Sequence, residues 1–364
     1  MQIQAIYYQL TTSLAIRHSV WYYLTVNRQD GIANNTSMNS ELIAVIMAAG
    51  KSTRMKSSTP KALHRICGKE ITRHVIDACV QAEIHRVIVV VGYDAGRVMQ
   101  GLGTDVEYVS QTEQLGTGHA VMQVAPLLTN PNAAVVVLPG DAPLIRPETL
   151  KLLIENHKSS GAAATLVTTE MDDPGSYGRI VRFGNGTVDR IVEARDAAPE
   201  QKAIKEVGTS MYAFRAGALV DSLKSLRTDN AQKEYYLTDV VGALSSSGNL
   251  VDAMVIEDSS EVMGINTRIE LAEAAAAMRE RILRELMLSG VTIVDPNTTY
   301  VEVDVFIGRD TVIHPCTIIE RGSRIGEHCS IGPFVRLSKA TVGNNSVVDL
   351  ATYQEAGGET TCRH

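Results

Sequence analysis

The 364 residues carry 34 Lys and Arg against 41 Asp and Glu, for a formal net charge of −7, and 45% of them are hydrophobic. That supports a sizeable core in two domains, and an acidic balance without long charge runs gives no nucleic-acid footprint. Five cysteines (Cys67, Cys79, Cys316, Cys329 and Cys362) lie far apart with no C-x-x-C pair. This speaks against zinc or a disulfide framework and for a reducing, cytoplasmic setting.

Residues 1–40 stand apart, with Trp21, the single tryptophan, and Tyr7, Tyr8, Tyr22 and Tyr23 of the twelve tyrosines. Arg17 and His18 interrupt the apolar content, so no window reaches the ~20 apolar residues of a membrane span. A secretory signal would need a basic start before an apolar run, and none is present. The segment reads as a poorly ordered extension without a role in the chemistry, with Met38 as an alternative start.

Residues 42–47 are apolar and β-leaning, a buried strand emptying into Met47-Ala48-Ala49-Gly50. Small residues let the backbone approach a ligand, and Lys51, Arg54 and Lys61 bring positive charge. A nucleoside triphosphate suits such a loop; a plain strand-to-helix turn with solvated charges is the bland alternative. The spacing is neither G-x-x-x-x-G-K-[ST] nor G-x-G-x-x-G.

Ile71, Val75, Ile76 and Cys79 recur at helical spacing, and residues 87–91 are a β-branched run ending at Gly92. Further runs at 106–109 and 133–138, with a helical pattern around 120–128 between them, continue the alternation. It predicts a doubly wound, mostly parallel, Rossmann-like α/β sheet. Ligands bind beyond the carboxyl ends of such strands, where the opening loop and Asp141 both fall. Asp141 reads as a Mg²⁺ ligand or as a turn former.

Residues 111–119, Gln-Thr-Glu-Gln-Leu-Gly-Thr-Gly-His, follow a strand; Gln111 offers both donor and acceptor to a pyrimidine edge. His119, at a helix start, reads as structural. From 161 to about 256 the strands are expected to be shorter and the turns more frequent, covering the sugar side of a cleft. Within it Glu193 reads as an acceptor for sugar hydroxyls or as an exposed strand residue.

Between Arg268 and Leu288 the positions Leu271, Ala275, Met278, Ile282 and Leu286 make one amphipathic helix, an arm between two domains. On local grounds Asn266 is its N-terminal cap. Val301, Ile307, Ile313, Ile319, Ile325, Ile331 and Leu337 then stand six apart, and Val342 and Val348 resume one residue early. That period predicts a parallel β-helix stub of two to three coils, distorted near 338–341.

Taken together, residues 42–268 resemble the uridylyltransferase domain of the bacterial bifunctional N-acetylglucosamine-1-phosphate uridylyltransferase/glucosamine-1-phosphate N-acetyltransferase family. The matching pieces are Met47 to Gly50 with Thr53-Arg54-Met55, Pro60-Lys61, Gln111 through His119, Gly140-Asp141, Tyr177-Gly178-Arg179, Ile191-Val192-Glu193, Glu234 through Asp239, and Asn266. The helix and the hexapeptides, expected as a left-handed β-helix, extend the likeness to about residue 340.

The resemblance implies a Mg²⁺-dependent step of UDP-N-acetylglucosamine and cell-wall synthesis from UTP and a sugar 1-phosphate. Met47, Ala48, Ala49, Gly50 and Gly140 would contact the nucleotide, and Lys61 and Arg54 the phosphates. Gln111, Gly116 and Thr117 would read uracil, Asp141 and Asn266 would hold Mg²⁺, and Gly178, Glu193, Gly208 and Asn266 would line the sugar. Homotrimers through the coils are also implied.

Three departures stand out. Ser52 replaces a second loop glycine, where its Cβ is expected to crowd the phosphates modestly. Gly208 replaces an asparagine that helps hold the sugar. Asp349-Leu350-Ala351-Thr352-Tyr353 matches an acetyltransferase segment without its histidine. No acetyl transfer is therefore expected. The implied domains are an extension at 1–40, a nucleotidyltransferase domain at 41–266, a linker helix at 267–290 and a truncated β-helix at 291–364.

Overall fold

A computed structural model describes residues 41–350; the extension at 1–40 and residues 351–364, with most of the 349–353 match, lie outside the described residues. The first elements are β1 (Leu42–Ala48), a hairpin of β2 (Arg65–Ile66) and β3 (Lys69–Glu70), α1 (Ile71–Gln81), β4 (Arg86–Val91), α2 (Ala95–Leu102), β5 (Glu107–Ser110), α3 (Thr117–Met122), β6 (Ala134–Pro139) and α4 (Pro147–Ser160). Next come β7 (Ala164–Glu170), β8 (Gly178–Arg182), β9 (Val188–Val192), α5 (Pro199–Lys202), β10 (Glu206–Arg215), α6 (Ala216–Leu223), α7 (Thr238–Ser246) and β11 (Val251–Val255).

The sheet runs β11-β7-β10-β6-β1-β4-β5. Continuous apolar strands are what a sheet covered on both faces requires. Alternate residues serve the two faces: Val45, Ile88 and Val137 meet α3, α6 and α7, while Ile46, Val89 and Leu138 meet α1, α2 and α4. Along this path the sheet is thus doubly wound, and parallel except at β10, which is antiparallel to both β6 and β7; β8 and β9 join off the path as an antiparallel pair on β10.

Two expectations change. The helix placed around 120–128 starts at Thr117 and ends at Met122, followed by a 3-10 turn at Ala125–Leu127. Pro126, lacking an N–H, cannot continue the α-helical ladder. Nor are the later strands all short, since β10 has ten residues and lies inside the main sheet. Its register shifts between Gly208 and Tyr212, which breaks the alternation that would have announced a long strand. Before the shift β10 pairs with β8 at Gly208, and after it with β6 from Tyr212 onward. The two partners diverge there, and the cleft opens between them.

A single helix, α8 (Arg268–Leu288), then serves two cores. Its first half sets Leu271, Ala274, Ala275 and Met278 against Met55, Ile66, Ile71, Leu144 and Ile265. Its second half lends Ile282, Leu283 and Leu286 to the interior of the β-helix. The β2–β3 hairpin completes the junction: Cys67 O accepts from Val303 N at 3.0 Å, and Lys69 Nζ lies 3.2 Å from Asp304.

The β-helix has three faces built from two-residue strands, in parallel stacks of four, three and three. Val301 sits opposite Ile319, and Ile319 opposite Leu337, 18 residues per coil. Where Ile325 meets Val342 the step is 17, the one-residue deletion expected near 338–341. The stacks exceed the predicted two to three coils because Thr292–Ile293 also belongs. Ile293 precedes Val301 by eight residues, so an insertion around Asp295-Pro296-Asn297 hides it from a sixfold scan.

Candidate nucleotide and sugar-phosphate cleft

A cleft of about 640 Å³ lies beyond the carboxyl ends of β1 and β6, and its lining contains every residue expected to serve the site. Its floor is tight. Gly140 N donates to Met47 O at 2.9 Å, and Gly140 O accepts from Thr72 Oγ1 at 2.7 Å. A Cβ at Gly140 would stand 2.9 Å from Met47 O, so glycine lets the loop after β6 press on the loop after β1.

At one end four side chains converge. Lys61 Nζ is ion-paired with Asp141 Oδ2 and donates to Asn266 Oδ1 at 3.0 Å, and Arg54 Nη2 donates to the same oxygen at 2.9 Å. Arg54 is carried by a 3-10 turn, Thr53–Met55, anchored by buried Met55. Ile265 N donates to Asp141 O at 2.9 Å, which fixes the approach to α8.

The N-cap of α8 is Thr267, not Asn266. Thr267 Oγ1 accepts from Glu270 N at 3.2 Å, while Glu270 Oε2 accepts from Thr267 N at 2.7 Å and Asn266 N at 2.6 Å. This is a capping box, and it frees the Asn266 amide for the cleft. Its T-x-x-E signature at 267–270 was readable in the sequence.

Asp141 and Asn266 offer one carboxylate and one amide oxygen, hard donors that suit a small divalent cation completing its shell with phosphate and water. Among the described residues no group of three His, Cys, Asp or Glu could hold a metal alone. Lys51 sits apart, its Nζ 5.7 Å from the centre of the Tyr93 ring.

The opposite wall comes from residues 111–119. Gln111 is 3% exposed. Gly116 has φ +110°, and a Cβ there would lie 2.5 Å from Tyr235 O, so only glycine fits. The 235–237 segment clamps this wall: Tyr235 N donates to Leu115 O at 2.8 Å, Gly118 N to Tyr235 O at 2.8 Å, and Leu237 N to Thr117 Oγ1 at 3.0 Å.

On the third side Gly178, Gly208 and Glu193 line the cleft, and a Cβ at Gly178 would stand 2.8 Å from Ile191 Cγ2. Glu193 Oε1 accepts from Thr238 Oγ1 at 3.0 Å. Burial pushes its carboxyl above the usual range and Thr238 opposes this, while Asp239 and Asp196 add to it. A Cβ at Gly208 would meet only side-chain ends, Ile191 Cδ1 at 3.3 Å and Ile180 Cδ1 at 3.4 Å. Ser52, with φ 50°, is not part of the lining, so its departure from glycine strains the backbone and does not fill the cleft. Sequence reasoning missed Thr238 and Glu270 as supports, because each acts through a residue 45 or 4 positions away.

Residues 44–234 match the MobA-like NTP transferase domain, and residues 304–339 match the bacterial transferase hexapeptide (six repeats). The bifunctional protein GlmU of Geobacillus sp. (strain WCH70) is 46% identical over 320 residues, 87% of this chain and 70% of that protein. Those of Pelotomaculum thermopropionicum and Limosilactobacillus reuteri are 48% and 44% identical over 313 residues, covering 85% and 86% of this chain and 68% and 69% of their own. The chain spans about two thirds of the length of these relatives. With 46% identity over 70% of such a relative, and an NTP transferase domain followed by hexapeptide repeats, the chain belongs to the GlmU family of bifunctional proteins.

Proposed function

We propose that the cleft joins UTP to N-acetylglucosamine 1-phosphate, releasing pyrophosphate and UDP-N-acetylglucosamine. One observation carries this reading: the cluster of Lys61, Arg54, Asp141 and Asn266 lines one cleft together with a wall suited to a base and a wall suited to a sugar. A sugar phosphate with a second pKa near ~6 is already anionic at neutral pH, so its attack on the α-phosphate needs no general base. Alignment and charge remain as the tasks of the protein.

Lys61 and Arg54 bring positive charge to the phosphates, and one such preorganised contact is worth on the order of 10²- to 10³-fold in rate. Asp141 and Asn266 would hold Mg²⁺, which when bound supplies charge neutralisation across the phosphate oxygens. Glu193, held by Thr238, offers its carboxyl oxygens to sugar hydroxyls. Self-association through the coils is part of the same reading, supported by exposed Phe306, Ile318 and Phe334 on the β-helix.

Gly208 favours a second reading within the same chemistry, another sugar 1-phosphate, because the wall lacks a side chain there. Pyrophosphate release measured for four nucleoside triphosphates crossed with several sugar 1-phosphates, with and without Mg²⁺, tests both. Turnover confined to UTP, N-acetylglucosamine 1-phosphate and Mg²⁺ is expected. Preference for another pair overturns the substrate assignment, and absence of turnover with every pair makes the chain a non-catalytic assembly subunit.

A further inference from the structure

We propose that His119 is a positioning residue that locks the Gln111 amide with its oxygen toward the nucleotide base and so sets the preference for uracil over cytosine. This rests on the reading of the 111–119 wall as the base site. Gln111 Nε2 donates to Gly116 O at 3.1 Å and to His119 Nδ1 at 3.0 Å. A carbonyl can only accept, so the amide nitrogen must face the wall. Gln111 Oε1 then takes no hydrogen bond from any described residue, in a side chain that lines the cleft.

The same geometry assigns the imidazole. Gln111 uses both amide hydrogens on the wall, and the second needs a bare Nδ1, which places the proton of the neutral ring on Nε2. Gln123 Nε2 lies 3.1 Å from His119 Nε2 and 3.1 Å from His119 O. A neutral ring has one bare nitrogen, so both amides cannot donate to it. Gln111 is buried, and turning it over would set its oxygen against Gly116 O. Turning Gln123 would likewise cost its bond to His119 O, but Gln123 is only half-buried and water can take up that carbonyl, so Gln123 is the amide that yields to Nε2–H. The ring is steadied by Tyr235, stacked at 6.3 Å between centroids, on the segment that clamps the wall.

An amide oxygen fixed in the cleft accepts from the N3–H of uracil. Cytosine presents a bare N3 there, and two lone pairs then face each other. Loss of Nδ1 leaves only Gly116 to hold the amide, and a freed amide can turn its N–H outward to cytosine.

The test is the ratio of kcat/KM for UTP over CTP, with N-acetylglucosamine 1-phosphate as co-substrate. His119→Leu is expected to lower the ratio about tenfold, the scale of one hydrogen bond, through the KM for UTP with kcat little changed. His119→Asn, whose Oδ1 can stand where Nδ1 stood, restores most of it. An unchanged ratio in His119→Leu, or equal losses for both nucleotides, overturns the positioning role while the uridine reading stands. A wild-type protein that turns over without preferring UTP to CTP overturns the uridine reading itself. Nitrogen NMR of the wild-type ring gives a check independent of any variant's folding: a bare Nδ1 and protonated Nε2 are expected, and the reverse tautomer overturns the proposal.

Discussion

In the β-helix each inward aliphatic residue rests on another 17 or 18 positions away, by a rule repeated coil after coil. In the cleft Lys61 meets Asp141 across 80 positions and Asn266 across 205, and nothing repeats. A repeated contact is shared by many equivalent residues, so losing one weakens the stack by its own share. A unique contact has no substitute. The two regions should therefore fail differently, the coils by graded loss of stability and the cleft by abrupt loss of rate.

The largest effect is expected in the cleft. Lys61→Ala and Asp141→Ala should each lower pyrophosphate release by on the order of 10²- to 10³-fold, with cooperative unfolding retained. Because the two act as one unit, the double variant should be no slower than the slower single variant. Rates near wild type in either single variant would remove the contrast between the regions.

The coil supplies the counterpart. Ile319 is fully buried, with Val301 and Leu337 as its neighbours along the stack. Ile319→Ala should cost roughly 2–5 kcal/mol by denaturant titration, the range for such truncations in packed cores. Turnover of the folded variant should be unchanged, since in a stacked array each coil leans on its neighbours alone. A loss of rate parallel to the loss of stability would show the two regions coupled through α8.

These two cases also show what the sequence could reveal. Period six, apolar strands and the T-x-x-E box are local, so the coils, β1, β4, β6 and the start of α8 could be read directly. The doubly wound order follows from general rules of chain connection. What stayed hidden was the antiparallel insertion of β10, where the irregularity between Gly208 and Tyr212 erases the alternation. The contact of Asn266 with Lys61 and Arg54 was equally obscure: the local box assigns the cap to Thr267, but the partners of the freed amide lie 205 and 212 positions away. Glu193 and Thr238 each fall in a matching piece, but nothing local says that the two pieces touch across 45 positions.

A further measurement separates the stability of the sheet from the chemistry of its cleft. His157 on α4 is 6% exposed, lies outside the cleft lining, and is 3.0 Å from Thr165 Oγ1 on β7. Burial first, then Arg215 and Lys158, push its pKa from 6.5 to about 4. The unfolded chain takes up a proton near 6.5 and the folded chain only near 4. The stabilising contribution is therefore complete above 6.5 and lost as pH falls toward 4. At ~1.4 kcal/mol per pH unit this comes to roughly 3 kcal/mol. His157→Gln should flatten the fall of stability over that interval, and an unaltered pH profile would assign the acid sensitivity elsewhere.

The smallest effect belongs to Ser52. Its φ of 50° and ψ of 53° are left-handed, at about 1–2 kcal/mol for a residue bearing a Cβ. Ser52→Gly removes that strain but gives the unfolded chain more freedom, worth about 0.4–1 kcal/mol in the other direction. The second term offsets part of the first, so stability should rise by about 0–1.6 kcal/mol. Because Ser52 lies outside the lining, the KM for UTP should not change. A fall in KM would mean that the Ser52 Cβ reaches the phosphates after all, and that even a single β-carbon in this loop is felt in substrate binding where the coils would register only a loss of stability.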